Sequence, residues 1–495
     1  MPDADVLIVG AGPAGLALAG ELGLAGVRTL LIERDPAPPA RSRGFTLHAR
    51  ALELLDRRGL AARFLAEGPT VPSTAFVGTA RLDLAAMRTG HPYVLGISQT
   101  RVEELLTERA TGLGVRILRG HRLTALRQDD GGVTAEVAAP DGPLHLRAPW
   151  LVGCDGGRSA VRTLAGIAFP GTPPRRFTLA GDVVLADPGA LPFGVTGGVF
   201  AVPRPGFVRL ITADPRPPED RDEPVTPAGF RRVVDAALGR HLEIAEFRWL
   251  TRFGDGARLA ERLRHGRVLL AGDAAHVHPP AGAVGVSAAV DDAVNLGWKL
   301  ALTVHGQAPD GLLETYHTER HAAGTALLRS TRAQAVLNRE GPEGEALAPV
   351  RELLAHLATS EDTAGPLAET VTAVGTRYPA PGSSGHPWDG RMVPDVPPAG
   401  EGLLPLPART GGGVLLVDGE EEPAVAAPWA DRVAVARTRP GALPGVRAVL
   451  VRPDGHAAWT GTPGDGALRE ALARWFGPPG PGEFSGARPN AGAAG

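Results

Sequence analysis

The sequence is poor in cysteine, lysine, methionine and tyrosine. Of 495 residues, one is cysteine, three are methionine and three are tyrosine. Because Cys154 stands alone, the chain cannot form an internal disulfide, a CxxC redox pair or a zinc site built from several thiolates. Lys299 is the single lysine among 51 basic residues. The remaining basic residues are scattered arginines, which do not form the concentrated patch typical of nucleic-acid binding.

Long apolar runs are also absent. No stretch approaches the ~20 apolar residues that cross a bilayer, and the first apolar run is preceded by acidic residues rather than by a basic signal-peptide region. The net charge of −3 gives no reason to expect nucleic acid or an anionic membrane surface. His276 and His278 have no further ligand at metal spacing. We expect a cytoplasmic protein without a metal, a membrane or nucleic acid as partner.

What the sequence does contain is a large apolar fraction and one clear nucleotide-binding pattern. With 495 residues and 43% hydrophobic residues, the chain suits two or three domains. Near its start, "DVLIVGAGPAGLALAGELGLAGVRTLLIERD" predicts a strand at Val6–Val9, a glycine-rich turn, a helix, and a second strand that ends in Glu33.

Each part of this pattern has a mechanical reason. Gly10 permits the tight turn, Gly12 lets a pyrophosphate approach the backbone, and Gly15 lets helix and strand pack closely. The helix N-terminus offers free N–H groups to phosphates. Glu33 suits the ribose hydroxyls of an adenosine and disfavours a 2′-phosphate, so the pattern predicts FAD or NAD without separating the two.

Two later stretches carry the same kind of signal. "WLVGCDGGRS" predicts a strand followed by Asp155-Gly156, and "GRVLLAGDAAHVHPP" predicts a strand followed by Gly272-Asp273. Together with the first motif, they resemble the class A flavoprotein monooxygenases, the aromatic-ring hydroxylases of the para-hydroxybenzoate hydroxylase type, over about residues 1–340. The resemblance implies that the nucleotide is FAD.

The resemblance also assigns cofactor contacts along the chain. "RSRGFTLHARALELL" matches the family's arginine-containing segment, and "SQTRVEELLTERA" matches its glutamine-led helix. The residues assigned to FAD in this way are Gly10, Gly12, Ala14, Gly15, Glu33, Arg34, Arg43, Gln99, Leu123, Asp155, Gly156, Gly272, Asp273, Pro280, Gly285, Val286 and Ser287.

The stretch "HPPAGAVGVS" resembles the family's loop beside the flavin ring. Pro279-Pro280 forms a stiff corner, because each proline fixes φ and lacks an N–H. We expect the loop to pass under the flavin and a helix to begin at about Ala288, with its N-terminus aimed at the ring edge that gains negative charge on reduction. Gly285-Val286-Ser287 stands where the family typically has Gly-Leu-Asn. We expect Ser287 to cap the helix.

The remaining segments predict two further units. Alternating apolar and polar residues from 176 to 254 predict antiparallel strands, which the resemblance makes the roof of a substrate cavity. Pro/Gly-rich Arg377–Gly402 is typical of a linker. The segment beyond it resembles the thioredoxin-like C-terminal domain of phenol and aromatic polyketide hydroxylases. Because it lacks cysteine, we expect a docking or dimerisation role.

The predicted fold class is α/β. We expect a Rossmann-like FAD-binding domain with an inserted mixed β-sheet substrate domain and a thioredoxin-like C-terminal domain. The predicted divisions are residues 1–175 and 255–385 for the FAD-binding domain and its helical connection, 176–254 for the substrate domain, 386–476 for the C-terminal domain, and 477–495 for a disordered tail.

The function that the resemblance implies is FAD-dependent hydroxylation of a phenolic polycyclic substrate in aromatic polyketide tailoring, with NAD(P)H as transient reductant and O₂ captured as a C4a-hydroperoxyflavin. The absence of a second GxGxxG pattern agrees with a reductant that binds only transiently. No side chain is assigned a catalytic role, and a monomer or a homodimer is expected. Three alternatives stay open: Baeyer–Villiger oxidation or oxidative rearrangement, inactivation of a rifamycin-type antibiotic, and a flavin-binding homologue without turnover.

Overall fold

The computed structural model describes residues 2–77, 80–216, 218, 220, 223–339, 341–394, 396, 411–419, 424–464 and 466–480. The predicted disordered tail lies outside the described residues from 481 onward, and so does most of the predicted linker beyond residue 394. Within the described part, no helix combines the length and the apolar character that crossing a bilayer requires.

The described strands are β1 Val6–Val9, β2 Thr29–Glu33, β3 Thr70–Val71, β4 Ser73–Val77, β5 Ala80–Asp83, β6 Val94–Leu95, β7 Arg116–Arg119, β8 Arg122–Asp129, β9 Gly132–Ala139, β10 Gly142–Ala148, β11 Trp150–Gly153, β12 Gly171–Thr172, β13 Phe177–Leu185, β14 Gly194–Thr196, β15 Val199–Arg204, β16 Phe207–Asp214, β17 Ile244–Gly254, β18 Ala257–Leu259, β19 Arg264–His265, β20 Val268–Leu270, β21 His276–Val277, β22 Gly413–Asp418, β23 Val433–Thr438, β24 Ala448–Val451 and β25 Ala457–Gly461.

The described α-helices are α1 Pro13–Leu24, α2 Ala49–Asp56, α3 Ala61–Leu65, α4 Gln99–Gly112, α5 Ala160–Leu164, α6 Pro227–Leu238, α7 Gly285–Val304, α8 Glu314–Leu337, α9 Gly341–Ala346, α10 Ala348–Leu357, α11 Glu361–Val371 and α12 Gly466–Phe476. Short 3₁₀ turns cover Gly272–Ala274, Ala281–Ala283 and Ala424–Trp429.

A six-stranded sheet with the order β19-β20-β11-β1-β2-β7 forms the centre of the chain. Its strands pair in parallel except for the edge strand β19. β1 is buried along its whole length, which explains its continuous apolar sequence. The predicted strand, helix and strand at the start of the chain are confirmed. The helix begins at Pro13, where a missing N–H costs nothing.

The inserted segment folds into a five-stranded sheet with the order β14-β15-β16-β13-β17. Every pairing in it is antiparallel, as the alternating pattern predicted and unlike the mixed sheet expected in the fold class. Gly197 and Gly198, both with positive φ, form the two-residue turn that connects β14 to β15. Phe230 and Val234 of α6 are fully buried against one face of the sheet.

The C-terminal segment forms a four-stranded sheet with the order β23-β22-β24-β25. β22 and β23 run parallel and the other pairs run antiparallel, so this sheet is mixed. Sequence analysis missed β23, whose apolar alternation is interrupted by arginines. Trp429, Trp459 and Phe476 are fully buried in this unit.

The segment from Arg377 to residue 394 is packed rather than extended as a linker. Tyr378 and Asp389 are buried, at 4% and 5% exposure. Asp389 accepts a hydrogen bond of 2.7 Å from the Thr460 hydroxyl, which fastens the segment to β25. The prediction of a linker is therefore wrong for these residues, because proline and glycine content does not distinguish a mobile connection from a packed irregular one.

Candidate functional site

The three glycines of the first motif lie under three different constraints. Gly10 has φ +110°, and a Cβ there would lie 2.4 Å from the Cys154 carbonyl oxygen. A Cβ on Gly15 would lie 1.9 Å from the Gly10 carbonyl oxygen, so helix and strand could not pack as they do. Gly12, the N-cap of α1, faces open space, with no atom within 4 Å of an added Cβ. The turn is therefore closely packed at Gly10 and Gly15 and open at Gly12, which lies at the N-terminus of α1.

Glu33 lies directly beside this turn. Its carboxylate accepts a hydrogen bond of 2.7 Å from the Ala11 N–H and one of 2.9 Å from the Asp35 N–H. Because β1 and β2 are parallel neighbours, their carboxyl ends bring Glu33 and the glycine turn to the same sheet edge. Arg34 points away from the turn, 61% exposed, with its Nε 3.9 Å from the Asp35 carboxylate.

The second motif approaches the first through Cys154, whose carbonyl faces Gly10. Asp155 has a role that sequence analysis did not predict, because its carboxylate holds the start of α5. It accepts hydrogen bonds of 2.6 Å and 3.1 Å from the N–H groups of Ala160 and Val161. Burial raises the pKa of Asp155. The following Gly156 has φ +82°, which turns the chain back towards α5.

The third motif also lies against the first. A Cβ on Gly272 would lie 2.8 Å from the Cβ of Ala14, so the two motifs touch here. Gly272 has φ +63° and donates its N–H to Asp292 at 2.8 Å. Asp273 follows as an exposed residue. The structure therefore gathers all three motifs at the carboxyl ends of β1, β11 and β20.

The arginine-containing segment, the α4 N-terminus and the predicted ring-side loop meet at Gly44. A Cβ on Gly44 would lie 3.5 Å from Gln99 Oε1 and 3.7 Å from Val286 Cγ2. Gln99 also donates from Nε2 to Glu103 at 2.8 Å. Arg43 is exposed at this junction. Leu123 of β8 differs from the others, because its side chain lies in the hydrophobic core.

The ring-side loop has unusual backbone geometry. Pro280 precedes a 3₁₀ turn in which Gly282 has φ +75° and Ala283 has φ +53°. A non-glycine residue in the left-handed region is strained by roughly 1 kcal/mol or more, so the surroundings must hold it. Helix α7 begins at Gly285, close to the end of this turn and earlier than the expected start at Ala288.

Ser287 does not cap α7, contrary to the expectation. It lies in the first helical turn, 3% exposed, and its Oγ accepts a hydrogen bond of 3.0 Å from the His48 N–H. Thr46 donates its hydroxyl to the Ala283 carbonyl at 3.2 Å. The segment before α2 therefore holds the ring-side loop and the start of α7 through two hydrogen bonds. The N-cap residue Val284 has no capping side chain, so the first-turn N–H groups of α7 remain available to a ligand.

His48 is a residue of this site that sequence analysis missed. It is 1% exposed, and burial lowers its pKa to about 4, although a hydrogen bond with the Gly282 backbone acts in the opposite direction. His48 therefore contacts both the turn and the helix start of the loop. The sequence contains one signal for His48: it directly precedes the amphipathic helix α2 and therefore stands at the N-cap position of that helix.

The depressed pKa of His48 predicts an acid-sensitive loop. A pKa near 4 in the folded state against 6.5 in the unfolded state gives stability that is complete above pH 6.5 and is lost as pH falls towards 4. In His48→Gln, we expect the parent's advantage in free energy of unfolding to shrink by roughly 3 kcal/mol between pH 7 and pH 4. Urea titrations at several pH values measure this, with exposed His145→Gln as the matched control. An advantage that stays constant over this range would contradict the assignment.

The inserted sheet is fastened to the same region by a buried ion pair. Arg209 and Asp182 pair at 2.7 Å, and both side chains are about 5% exposed. Arg209 also donates to the carbonyls of Ser42 and Arg43, at 2.6 Å and 2.9 Å, and its guanidinium lies 4.4 Å from the Phe45 ring centroid. The antiparallel sheet therefore faces the segment that borders the ring-side loop.

The residues present fit FAD. The open cradle at Gly12 is the space that a pyrophosphate needs, Glu33 stands beside it, and the uncapped start of α7 lies at the other end of the site. No group of three or more histidine, cysteine, aspartate or glutamate side chains among the described residues is arranged to hold a metal ion. Fold and site together define a flavin-binding protein with an added sheet over the cofactor side.

Comparison with known proteins agrees with this class. The family model described as FAD binding domain matches residues 3–331, and the model described as aromatic-ring hydroxylase, C-terminal, matches residues 386–479. The 12-dehydrotetracycline 5-monooxygenase/anhydrotetracycline 6-monooxygenase of Streptomyces rimosus subsp. rimosus is 44% identical over 505 residues, covering 96% of this chain and 99% of the relative. A rifampicin monooxygenase of Streptomyces venezuelae is 43% identical over 494 residues, covering 96% and 98%.

A solved structure gives the same result for the fold. The anhydrotetracycline hydroxylase from Streptomyces rimosus superposes with a TM-score of 0.88 at 42% identity, covering 96% of this chain and 99% of that chain. The chain belongs to the FAD-binding-domain family of flavin-dependent aromatic-ring monooxygenases. The expected fold class, the expected cofactor FAD and the resemblance to class A monooxygenases are confirmed.

Proposed function

We propose that this protein hydroxylates a phenolic polycyclic substrate of aromatic polyketide tailoring, with NAD(P)H as transient reductant and O₂ as co-substrate. The observation that carries the proposal is the convergence of three motifs on the open space at Gly12, with an antiparallel sheet fastened beside the ring-side loop. The relatives named for anhydrotetracycline and rifampicin support a polycyclic aromatic substrate.

The chain's own residues bind and orient the cofactor. Gly12 and the first turn of α1 would receive the pyrophosphate, Glu33 the ribose, and the segment around Arg43 and Gln99 the middle of the molecule. FAD, when bound, supplies the redox chemistry with the nicotinamide and with oxygen. The free N–H groups at the start of α7 stabilise negative charge at the ring edge.

The inserted sheet covers the reacting region and excludes water from it. Phe207 lies on the side of the sheet that faces the cofactor segment, with its ring centroid 6.3 Å from that of Phe45. Phe193 is 62% exposed, at the far end of the sheet, and packs edge-on against Phe200. We infer that the substrate enters between Phe207 and the ring-side loop, where exclusion of water by the sheet would protect the oxygen-transfer step.

No acid or base is needed in this proposal. His48 lies beside the loop and His278 lies at its start, and burial lowers the pKa of both, which favours their neutral forms. A phenol already has an electron-rich ring, and placement towards the cofactor is the main task of the protein. The proposal includes the domain divisions given above. It also includes a monomeric or homodimeric protein that works in the cytoplasm, where nicotinamide reductant is supplied.

The test is the rate of flavin reduction with and without substrate. We expect NAD(P)H to reduce the bound flavin slowly alone and at least tenfold faster with a suitable polycyclic phenol, because aromatic ligand and mobile flavin share one pocket. Anaerobic stopped-flow absorbance measures both rates, with tetracycline-type and rifamycin-type phenols as probes and a monocyclic phenol as control.

The products decide between the alternatives. Addition of one oxygen with the ring system unchanged supports hydroxylation. A ring-expanded lactone of equal mass gain, or its ring-opened product with one further water, supports Baeyer–Villiger oxidation. A modified rifamycin alone supports antibiotic inactivation. A reduction rate that no phenol in the panel changes, with no oxygenated product, supports a flavin-binding homologue without turnover and contradicts the proposal.

A further inference from the structure

Helix α7 carries a row of polar residues that the FAD site itself does not use. Asp292, Asn295 and Lys299 are all fully buried. Burying charged groups is costly unless they are paired and hydrogen-bonded, and replacing such pairs by apolar residues is often neutral for stability. Stability alone therefore does not explain a cluster of this size, and its contacts lead to the loop beside the proposed flavin ring.

The first contact set closes the ring-side loop at its base. One oxygen of Asp292 accepts the Gly272 N–H at 2.8 Å and pairs with His276 Nε2 at 2.7 Å. The other oxygen accepts from Arg320 Nε at 2.6 Å. Since Gly272 and His276 precede the loop and Asp292 follows it, one carboxylate holds both ends together. The position of that carboxylate depends in turn on Arg320 of α8.

Arg320 connects this base to the segment that leads into the C-terminal domain. Its guanidinium donates to Asp291 at 2.7 Å and to the Tyr378 hydroxyl at 2.7 Å. The Tyr378 ring lies against His456 of the C-terminal domain, with 4.3 Å between the ring centroids. Arg320 is therefore held on one side by Asp291 and Asp292 of α7 and on the other by Tyr378, which itself packs on the C-terminal domain.

The second contact set involves the C-terminal domain directly. Arg452 donates to both oxygens of Glu319, the neighbour of Arg320, at 2.6 Å and 2.8 Å. Asp454 pairs with Arg452 and accepts from the Asn295 amide at 3.2 Å. Lys299 donates to Glu319 at 2.7 Å. The turn at residues 452–454 is therefore bound to α8 and α7 at once.

A third contact fixes the same turn to the glycine-motif helix. Arg58 donates to the Pro453 carbonyl at 2.9 Å and forks onto Glu21 of α1, at 2.6 Å for its shortest bond. Arg58 is 4% exposed and Glu21 is 8% exposed. The turn thus contacts α7 and α8 directly and is connected to α1 through Arg58. Two of these helices, α1 and α7, begin at the proposed FAD site.

We propose that the turn at residues 452–454 is a positioning element of the FAD site. Arg452 orients Glu319 and therefore the segment of α8 that carries Arg320. Arg320 in turn holds Asp292. Asp292 then sets the spacing of Gly272, His276 and α7 around the ring-side loop. The C-terminal domain would therefore act within its own chain, by supporting the ring-side loop. The inference rests on the proposed placement of FAD at residues 272–287.

The experiment compares Arg452→Met with the conservative Arg452→Lys and with Leu443→Ala in the full chain. Leu443 is a buried residue of the same domain, 2% exposed, in an apolar cluster that does not include residues 452–454. We measure the FAD dissociation constant, the visible circular dichroism of bound flavin and the thermal midpoint. Arg452→Met is expected to raise the dissociation constant about tenfold and to change the flavin spectrum, since lost coupling of this size is typical of one network.

Arg452→Lys keeps the charge but not the fork, so an intermediate effect is expected. Leu443→Ala is expected to lower the thermal midpoint while leaving the FAD dissociation constant and the spectrum unchanged. A double variant, Arg452→Met with Asp454→Leu, removes the pair together. It is expected to regain thermal stability and still bind FAD about tenfold more weakly, which separates positioning from stability.

Two results would overturn the inference. One is a dissociation constant for FAD that follows the thermal midpoint across all four variants, because the turn would then act only through stability. The other is an unchanged dissociation constant and spectrum in Arg452→Met. A parent protein that does not bind FAD at all would instead contradict the proposed function, so the two failures are distinguishable.

Discussion

Replacing Gly12 with alanine is expected to weaken FAD binding roughly 5- to 150-fold and to leave the folding of the FAD-free protein unchanged. Gly12 has φ −80°, which alanine adopts without strain, and an added Cβ meets no protein atom within 4 Å. The methyl group would therefore occupy only the space assigned to the pyrophosphate. Fluorescence titration of apoprotein with FAD measures the affinity, and urea unfolding of the apoprotein measures its stability.

Two matched glycines make this result interpretable. Gly15→Ala is expected to lose both stability and FAD, because its Cβ would lie 1.9 Å from the Gly10 carbonyl oxygen. Gly112→Ala, also with nothing within 4 Å but at the far end of α4, is expected to change neither. If Gly12→Ala binds FAD like the parent, the open side of the turn does not face the cofactor.

The features that were predictable from the sequence are those set by constraints within one strand–turn–helix unit. Gly10 has the positive φ of the predicted tight turn, and Gly15 makes the predicted close helix–strand contact. Gly12 leaves open space at the turn, and its predicted contact with a pyrophosphate stays a prediction. The continuous apolar run of β1 was likewise sufficient to predict a strand buried on both faces. In these places local sequence and tertiary structure agree.

The features that were missed join residues far apart in the chain. Ser287 accepts from His48 across 239 residues, and Arg452 holds Glu319 across 133. Neither pair has a local pattern, so Ser287 was assigned to the nearest local role, a helix cap. The sequence contained one signal of this buried network. Asp291, Asn295 and Lys299 repeat every four residues and therefore lie on one face of the helix. A helix whose polar residues only contact solvent would not need this spacing.

Asp155 lies beside the glycine turn, where its motif was predicted to lie, but its side chain contacts α5 instead of being free for the cofactor. Sequence analysis assigned it to the cofactor, and the structure brings its motif to the glycine turn. The side chain itself is already used by the N–H groups of α5 and by the Ser159 hydroxyl. In the proposed function, it contributes to cofactor binding through its backbone and the placement of α5. The hydrogen-bond partners of the carboxylate distinguish these tasks, and a motif does not show them.

Glu33→Ala is expected to weaken FAD binding by about 10- to 150-fold for each hydrogen bond to the ribose that is lost, the largest effect that we expect from a single polar side chain. Each hydrogen bond to a charged carboxylate contributes ~1.5–3 kcal/mol. Glu33 also holds the Ala11 N–H at 2.7 Å, so its loss releases the turn that receives the pyrophosphate as well as the ribose contact. Both consequences act on FAD affinity in the same direction.

Glu33→Gln and Asp35→Ala separate the causes. Glutamine keeps one acceptor oxygen and loses the charge, so an intermediate loss of affinity is expected. Asp35 is the exposed neighbour, 67% exposed in its side chain, and its removal deletes a negative charge without touching the turn. We expect Asp35→Ala to retain the parent's FAD content after gel filtration. Equal FAD loss in Asp35→Ala and Glu33→Ala would show that only general charge matters, and the assignment of Glu33 to the ribose and the turn would be wrong.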